Sequence, residues 1–147
     1  MKSIKNLIPD IQARLTSSKP FEEADVQRFG HNLATKLAER LSRTNGPFRL
    51  RMSNLGETCL RKLYYSKHFP EAAEPLPASA RFKFLFGDVI EELIFFLAAA
   101  SGHTVSQEQT EVELHGVRGS IDGLIDGHLV DVKSASPYGF RKFKEHN

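Results

Sequence analysis

The feature that most constrains this chain is an Asp-Gly pair between two short runs of alternating apolar and polar residues. Asp126-Gly127 follows the run over residues 117–125 and precedes the run over residues 128–134. Asp-Gly favours the tight two-residue turn that joins antiparallel strands, because both positions of that turn need a positive φ. The sequence therefore predicts a β-hairpin centred on this pair.

Counting outward from the turn gives the register of the two strands. Asp122 falls opposite Asp131, and Lys133 lies on the same face because side chains two residues apart share a face. Ser120 falls opposite Lys133. The other face is apolar and consists of Ile121, Ile125, Val130 and Val132. The register thus predicts a buried apolar face and, on the opposite side, two carboxylates and an ammonium.

Two like charges placed directly opposite one another destabilise a sheet. Such a pair is tolerated when one carboxyl is protonated or when a cation lies between the two. Mg²⁺ and Mn²⁺ prefer oxygen ligands, so the pattern favours a divalent metal at Asp122 and Asp131. Lys133 would orient or deprotonate a metal-bound water, or offset phosphate charge. The structural alternative is an ordinary turn, with an Asp131–Lys133 surface pair and a solvated Asp122.

The remainder of the chain predicts helices around this hairpin. Residues 1–17 contain a short helix, and a second helix begins at Ser18 and Lys19-Pro20 and ends at Asn45-Gly46-Pro47. Its apolar face comprises Val26, Phe29, Leu33, Leu37 and Leu41. Further helices are predicted over residues 59–65, 80–100 and 137–146. The helix over 80–100 should be largely buried, with Ser101-Gly102 at its end and a proline-rich loop at 69–79 before it.

A third strand, over residues 105–114, completes the predicted elements. The order of helices and strands predicts an α/β (α+β) domain in which helices flank a mixed sheet of about three strands. A length of 147 residues favours one domain. We divide it into a helical N-terminal extension over residues 1–47 and a core over residues 48–147.

Composition excludes several classes of protein. Cys59 is the only cysteine, which excludes an internal disulfide and an all-cysteine metal site and fits a reducing compartment. No apolar run approaches the length of about 20 residues that a membrane helix needs. We therefore expect a cytoplasmic protein without a membrane partner. The net charge of +2 is too small to indicate nucleic acid by itself.

Four short motifs follow one another along the chain. They are a serine, cysteine, basic and aromatic segment over residues 53–65, Gly87-x-x-x-Glu91, Asp122 before the turn, and Asp131-x-Lys133 followed by Ser134-Ala135-Ser136. Each is weak alone, but the four in this order resemble the PD-(D/E)XK nuclease superfamily. The most similar branch is that of the RecB-like exonucleases of phages, recombination complexes and CRISPR adaptation. The resemblance covers about residues 50–147.

The resemblance implies a restriction-endonuclease-like core and a Mg²⁺- or Mn²⁺-dependent deoxyribonuclease, exonuclease-like, in recombination, repair or phage DNA metabolism. It implies metal ligands at Glu91, Asp122, Asp131 and the carbonyl of Val132, with Lys133 as the catalytic lysine. Glu92 would replace Glu91 if the register were shifted by one residue. The alternative for Glu91 is a helix carboxylate paired with a nearby Arg or Lys.

The resemblance also implies DNA, single- or double-stranded, as the partner, and a homo-oligomer or a larger recombination complex as the assembly. Candidate phosphate contacts are Arg61, Lys62, Ser134, Arg141 and Lys142, with Lys144 less favoured. Tyr64, Tyr65 and Phe140 are candidates for base stacking. The alternative is that the basic residues are merely solvated and that Tyr64 and Phe140 belong to the core. Iron–sulfur members of the branch need four cysteines, so we expect no cluster here.

The sequence departs from the family pattern at its C-terminal end. Family members continue beyond the D-x-K strand with a helix carrying Q-x-x-x-Y and a further strand, whereas this sequence stops at Asn147. We therefore expect a core that is incomplete at the C-terminus. The alternative function is a catalytically incomplete module of the same fold that binds nucleic acid or a partner protein. A third possibility is a purely structural α+β domain in which the motifs are coincidental.

Overall fold

The computed structural model describes residues 2–42 and 48–145. Within them the α-helices are α1 (Leu7–Thr16), α2 (Glu23–Ser42), α3 (Leu60–His68), α4 (Ala78–Ala100) and α5 (Pro137–Glu145). The strands are β1 (Val105–Ser106), β2 (Glu111–Leu114), β3 (Val117–Ser120), β4 (Gly123–Ile125) and β5 (His128–Val130). Short 3-10 helices span Ile4–Asn6, Met52–Asn54 and Pro70–Ala72. The predicted mixed α/β class is confirmed.

The strands form two small antiparallel sheets, one in the order β1-β4-β5 and one of β2 with β3. The predicted mixed sheet is therefore wrong, and a parallel bridge between Arg51 and Arg118 lies outside the strands. The strand predicted over residues 105–114 is two strands in different sheets. Gln107 and Gln109, both with positive φ, turn the chain between β1 and β2. The run over residues 117–125 is likewise divided into β3 and β4.

The predicted hairpin is confirmed in its register. Leu124 pairs with Leu129 and Ile125 with His128, while Asp126 (φ 51°) and Gly127 (φ 79°) form the turn. The apolar face is also as predicted, since Ile125 is fully buried while Val130 and Val132 pack against its cluster. However, β5 ends at Val130, so Asp131 and Lys133 follow the strand instead of lying within it.

The helices largely follow the prediction, with one shifted start. The helix expected from Ser18 begins at Glu23. The chain before it is held in a non-helical conformation, because Arg14 donates hydrogen bonds to the carbonyls of Lys19 and Pro20. Its predicted end at residues 45–47, and residue 146 of the last helix, lie outside the described residues. Helix α4 ends as predicted at Ser101, before Gly102 with φ +87°.

The core is small and lies where the C-terminal half of α4 meets β4. Phe95, Ala98 and Ile125 form its buried cluster. Gly123 packs on the Phe95 ring, because a Cβ added there would lie 3.0 Å from Phe95 Cζ. The N-terminal half of α4 is exposed, contrary to the prediction of a largely buried helix. Its three phenylalanines, Phe82, Phe84 and Phe86, are all exposed.

Helices α1 and α2 pack against α4. Phe29 of α2 contacts Phe96 of α4, with ring centroids 5.0 Å apart. The predicted apolar face of α2 is nevertheless incompletely covered, since Val26 and Leu41 are exposed. In the described part of the chain, no helix combines the length and apolarity that a membrane span would need.

Candidate functional site

The four residues of the predicted nuclease site come from two parts of the fold. Glu91 lies in the buried half of α4, and Asp122 lies between β3 and β4. Asp131 and Lys133 follow β5. The pKa of Lys133 is raised, mainly by its hydrogen bond to Asp131, with smaller contributions from the negative charges of Asp122 and Glu91. Lys133 is therefore within electrostatic reach of each of the three carboxylates.

Asp122 is oriented by the backbone of the neighbouring strand end. The amide of Val132 donates a hydrogen bond of 2.8 Å to Asp122 Oδ2. The Asp122 side chain is therefore half-buried and engaged, in contrast to the solvated aspartate of the structural alternative. The strand ladder ends before Asp122 and Asp131, so the predicted strand pairing between these two residues is wrong.

Asp131 and Lys133 form a local ion pair at the surface. Lys133 Nζ lies 2.6 Å from Asp131 Oδ1, and the two side chains are 75% and 62% exposed respectively. This is the surface pair that the sequence offered as the alternative to a catalytic lysine. Exposed pairs of this kind contribute little to stability. Both groups therefore remain accessible to a ligand.

Glu91 is held by partners that the sequence analysis missed. Lys36 Nζ lies 2.8 Å from Glu91 Oε1, and the side-chain amide of Gln109 also donates to Glu91. Lys36 Nζ lies a further 2.8 Å from Glu92 Oε1. Glu91 is thus the helix carboxylate paired with a lysine that the alternative described. The sequence did contain an indication of a buried ion pair, because Lys36 lies between Leu33 and Leu37 on the apolar face of α2.

Arg40 extends these contacts by one helical turn. Its Nε and one terminal nitrogen lie 2.7 Å from the two carboxylate oxygens of Asp88, a bidentate arrangement. The hydrogen bonds to Asp88 raise the pKa of Arg40. We refer to the five residues Lys36, Arg40, Asp88, Glu91 and Glu92 as the α2–α4 ion cluster.

Burial and the neighbouring carboxylates together determine the pKa of Lys36 in this ion cluster. The Lys36 side chain is 15% exposed and that of Glu92 is 8% exposed. Desolvation lowers the pKa of Lys36, but hydrogen bonds and charge attraction from Glu91 and Glu92 more than offset it, so the pKa is raised overall. Lys36 is therefore a fixed positive charge at neutral pH.

The predicted metal ligands do not converge. Within residues 2–42 and 48–145, no group of three His, Cys, Asp or Glu side chains is arranged to hold a metal ion. Their oxygen donors suit Mg²⁺ or Mn²⁺ chemically. Each, however, already has a partner: Lys36 for Glu91, the Val132 amide for Asp122, and Lys133 for Asp131. In this arrangement the residues do not fit a bound metal.

Comparison of the chain with protein-family models, curated proteins and solved structures found no match. The resemblance to the nuclease superfamily therefore rests on the residues of this chain alone.

An open cleft of about 660 Å³ lies beside the ion cluster. Lys36, Glu92, Gln109 and Ser120 are among the residues that line it. Ser120 pairs with Glu111 and not with Lys133, because residues 117–120 belong to the β2–β3 sheet. Lys36 lines the cleft even though its side chain is only 15% exposed.

Glu108 lies on the wall of the same cleft. Desolvation raises its pKa, and the neighbouring negative charge of Glu92 raises it further. The positive charges of Arg28 and Lys36 partly offset this rise.

The candidate phosphate-binding residues are all exposed. Arg61 lies over the ring of Tyr65 at 5.5 Å, and Lys142 lies over the ring of Tyr138 at 5.1 Å. Lys62 is paired with Glu57. Tyr64 and Phe140 are exposed, so the alternative that placed them in the core is wrong. Ser134 and Arg141 are exposed as well.

A second buried charge contact was not anticipated. His103 is buried, with Nδ1 2.6 Å from Asp126 Oδ2 and Nε2 3.2 Å from Asp10 Oδ2, the latter without hydrogen-bond geometry. The His103 hydrogen bond, followed by one from the Thr104 amide, lowers the pKa of Asp126. The turn aspartate therefore also fastens the hairpin to the end of α4. No catalytic role for it follows from this geometry.

Proposed function

We propose that this chain is a metal-dependent nuclease domain that hydrolyses phosphodiester bonds of DNA in the cytoplasm, exonuclease-like and of the restriction-endonuclease-like fold. The observation that carries the proposal is the hydrogen bond from the Val132 amide to Asp122, which holds this carboxylate beside the segment that carries Asp131 and Lys133. Three of the four motifs single out Glu91, Asp122, Asp131 and Lys133, which come from a helix and two strand ends. A divalent metal could be held here only if these carboxylates exchanged their present partners for the ion.

Lys133 is best suited to an electrostatic role in this site. A general base works well when its pKa is close to the working pH. The carboxylates around Lys133 raise its pKa above the ordinary value for lysine, near 10.4. The ammonium is therefore protonated at neutral pH. It would stabilise the negative charge that develops on a phosphate.

Asp122 acts in this proposal as a positioned carboxylate. Its Oδ2 accepts a hydrogen bond from the Val132 amide. The same hydrogen bond ties the segment that carries Asp131 and Lys133 to the start of β4. A change at Asp122 would thus alter both the ligand set and the position of Lys133.

The exposed helices α3 and α5 would supply the contacts to DNA. Arg61 and Lys142 each lie over an exposed tyrosine, so each pair offers a positive charge together with an aromatic face. Single-stranded nucleic acid is commonly bound by this combination of charge and stacking. We assign Lys62, Ser134 and Arg141 to contacts with DNA as well.

A second candidate function is a binding module of the same fold without turnover. The observation that favours it is that Glu91, Asp122 and Asp131 are each engaged by a partner within the chain. Such a module would bind DNA through α3 and α5 and would not cleave it.

A cleavage assay distinguishes these functions. The protein is incubated with end-labelled single- and double-stranded DNA and Mn²⁺, and compared with the variants Asp131→Ala and Lys133→Ala. Glu113→Ala is the matched control, because Glu113 is also an exposed carboxylate paired with a nearby cation, Arg118. Cleavage that is lost in the two site variants and retained in the control supports the nuclease. Binding without cleavage supports the module, and neither activity contradicts both.

A further inference from the structure

A buried imidazole lies between two carboxylates that come from distant segments of the chain. His103 follows α4, and its side chain is 0% exposed. Its Nδ1 lies 2.6 Å from Asp126 Oδ2 in the hairpin turn, and its Nε2 lies 3.2 Å from Asp10 Oδ2 in α1. One side chain therefore connects α1 and the hairpin turn with the end of α4.

The ring of His103 must carry a proton on each nitrogen to attract both carboxylates. A neutral imidazole has one N–H donor and one acceptor nitrogen, whereas an imidazolium has two donors. A carboxylate oxygen is an acceptor, so a neutral ring can donate to only one of the two aspartates. In the described part of the chain Nε2 has no hydrogen-bond partner, and its contact with Asp10 is one of charge. This contact is attractive only when the ring carries its second proton.

Both aspartates remain ionised where histidine titrates. The pKa of Asp126 is lowered, mainly by the hydrogen bond to His103 and then by that from the Thr104 amide. The pKa of Asp10 is lowered as well, mainly by the hydrogen bond from Lys2. An ordinary histidine has a pKa of about 6.5, above the ordinary values for aspartate. The ring is therefore the group whose charge changes in this set of contacts.

The other charged and titratable groups around this set either share a cavity wall with His103 or follow the hairpin turn. They are Asp25, Arg28, Glu92, Glu108 and His128. Asp25 and Arg28 pair with one another at 3.0 Å, and Glu92 pairs with Lys36. Within residues 2–42 and 48–145, the charged groups that contact the ring itself are the two aspartates alone.

The two carboxylate contacts of the ring are unequal. The Asp126 side chain is 3% exposed, and its other oxygen accepts a hydrogen bond of 3.0 Å from the Thr104 amide. The Asp10 side chain is 29% exposed, and its Oδ2 also lies 2.9 Å from Lys2 Nζ. Solvent and Lys2 can therefore compensate Asp10 if the ring becomes neutral. A neutral ring should keep its one proton on Nδ1, toward the buried Asp126.

We infer that His103 is a pH-dependent link between α1 and the hairpin turn. As an imidazolium it attracts both Asp10 and Asp126, and when Nε2 loses its proton the attraction to α1 is lost while the hairpin turn stays bound. Helix α1 then depends on its packing against α4. The contribution of the link to stability is present at acidic pH and is lost at higher pH as the ring proton leaves. The inference does not rest on the proposed nuclease function.

Nuclear magnetic resonance of the ¹⁵N-labelled wild-type chain tests the link, because ring nitrogen shifts distinguish an imidazolium from each neutral tautomer. The expected result for His103 is an imidazolium at about pH 5 and a ring protonated on Nδ1 at about pH 9. Amide hydrogen exchange in α1, corrected for its intrinsic pH dependence, should become faster by on the order of tenfold over this range. Exchange of the Asp126 amide, which donates to the Thr104 carbonyl, should not.

Two variants remove the link from either side. His103→Gln keeps an amide donor but has no second charge state, and Asp10→Asn keeps the shape of the side chain but not its charge. Each should abolish the pH dependence of exchange in α1. His128→Gln is the matched control, because His128 is an exposed histidine of the same hairpin, and it should behave as the wild type does.

Three results would overturn the link. One is a His103 ring that stays in a single protonation state across this pH range. Another is exchange in α1 that does not change while the ring titrates, or that changes equally in Asp10→Asn. The third is faster exchange at the hairpin turn instead of α1, which would show that Asp126 is released. If His103→Gln does not fold, the wild-type titration and Asp10→Asn, whose side chain is partly exposed, still decide between these outcomes.

Discussion

Two lysine–carboxylate contacts in this chain have nearly the same length and opposite surroundings. Lys36 lies 2.8 Å from Glu91 and Glu92 in the α2–α4 ion cluster, and Lys133 lies 2.6 Å from Asp131 after β5. The Lys36 side chain is 15% exposed, whereas that of Lys133 is 75% exposed. The first contact joins two helices, and the second joins residues two positions apart.

The comparison shows that burial, and not distance, decides what such a contact does. Removing one partner of a buried pair leaves an uncompensated charge in a poorly solvated place, which is strongly destabilising. An exposed pair exchanges readily with water and contributes little to stability. The α2–α4 ion cluster therefore holds α2 against α4 and keeps Glu91 paired with Lys36. The Asp131–Lys133 pair lies at the surface, where a ligand can replace either partner.

The largest expected effect is a difference in stability between two equivalent substitutions. Lys36→Met should lower the free energy of unfolding by about 2–3 kcal/mol, because Glu91 and Glu92 lose their shared cation. Lys133→Met should change it by less than about 0.5 kcal/mol. Urea denaturation followed by circular dichroism measures both. Equal effects for the two variants would remove the distinction between the buried and the exposed contact.

A second comparison concerns the geometry of the arginine pairs. Arg40→Lys loses the bidentate contact with the buried Asp88 and should cost about 1–2 kcal/mol of unfolding free energy. Arg118→Lys is the control, since Arg118 makes a 2.6 Å contact with the exposed Glu113. Its expected cost is below about 0.5 kcal/mol. The same denaturation experiment tests this, and a costly Arg118→Lys would argue against burial as the cause.

The stability of the chain at alkaline pH is a third way to distinguish the contributions of Lys36 and Lys133. The pKa of Lys36 is raised in the folded state, so its contribution to stability is complete below the ordinary lysine pKa of about 10.4 and is lost as pH rises through the folded value. The unfolding free energy should fall above about pH 10.4, by at most about 1.4 kcal/mol per pH unit for this one proton. In Lys36→Met the fall should be shallower. Lys133→Met should change it much less, because Lys133, whose pKa is also raised, is 75% exposed and its charge is screened by solvent. Denaturation series between pH 8 and 11 provide the test.

The smallest expected effect is a gain in stability at the cleft wall. Desolvation and the charge of Glu92 raise the pKa of Glu108, so its ionised form is unfavourable in the folded state at neutral pH. Glu108→Gln should therefore stabilise the chain slightly, by less than the effects above, because Glu108 is itself exposed and its charge is screened by solvent. The difference should vanish at a pH below the ordinary glutamate value. Glu111→Gln, which changes an exposed carboxylate of the same cleft, should have no such effect.

Local patterns in the sequence predicted the elements well. The Asp126-Gly127 turn and the alternation on both sides of it gave the correct hairpin register and the correct buried face. The span of α4 and its end at Ser101-Gly102 also followed from periodicity and glycine chemistry. These features depend on neighbours in the sequence, and this is why a pattern could predict them.

The predictions that were wrong or missed concern contacts between residues distant in the sequence. The partner of Glu91, Lys36, lies 55 residues away, and no spacing rule connects the two. The ends of β3 and β5 depend on hydrogen bonds with other segments, so the predicted strand pairing of Asp122 with Asp131 was wrong. A lysine on the apolar face of α2 was a usable signal for a buried ion pair. It identified a position, but it did not identify the partner.

The proposed function requires Glu91, Asp122 and Asp131 to bind one cation beside Lys133. Paramagnetic Mn²⁺ broadens nearby amide resonances even when only a small fraction of the protein is loaded, so a two-dimensional NMR titration of the wild-type chain tests the claim directly. The account predicts that the amides of Glu91, Asp122 and Val132 broaden together at low Mn²⁺, before those of Lys62 and Lys142. Broadening that spares these three amides, or that is confined to the surface carboxylates Glu39 and Glu111, would contradict it.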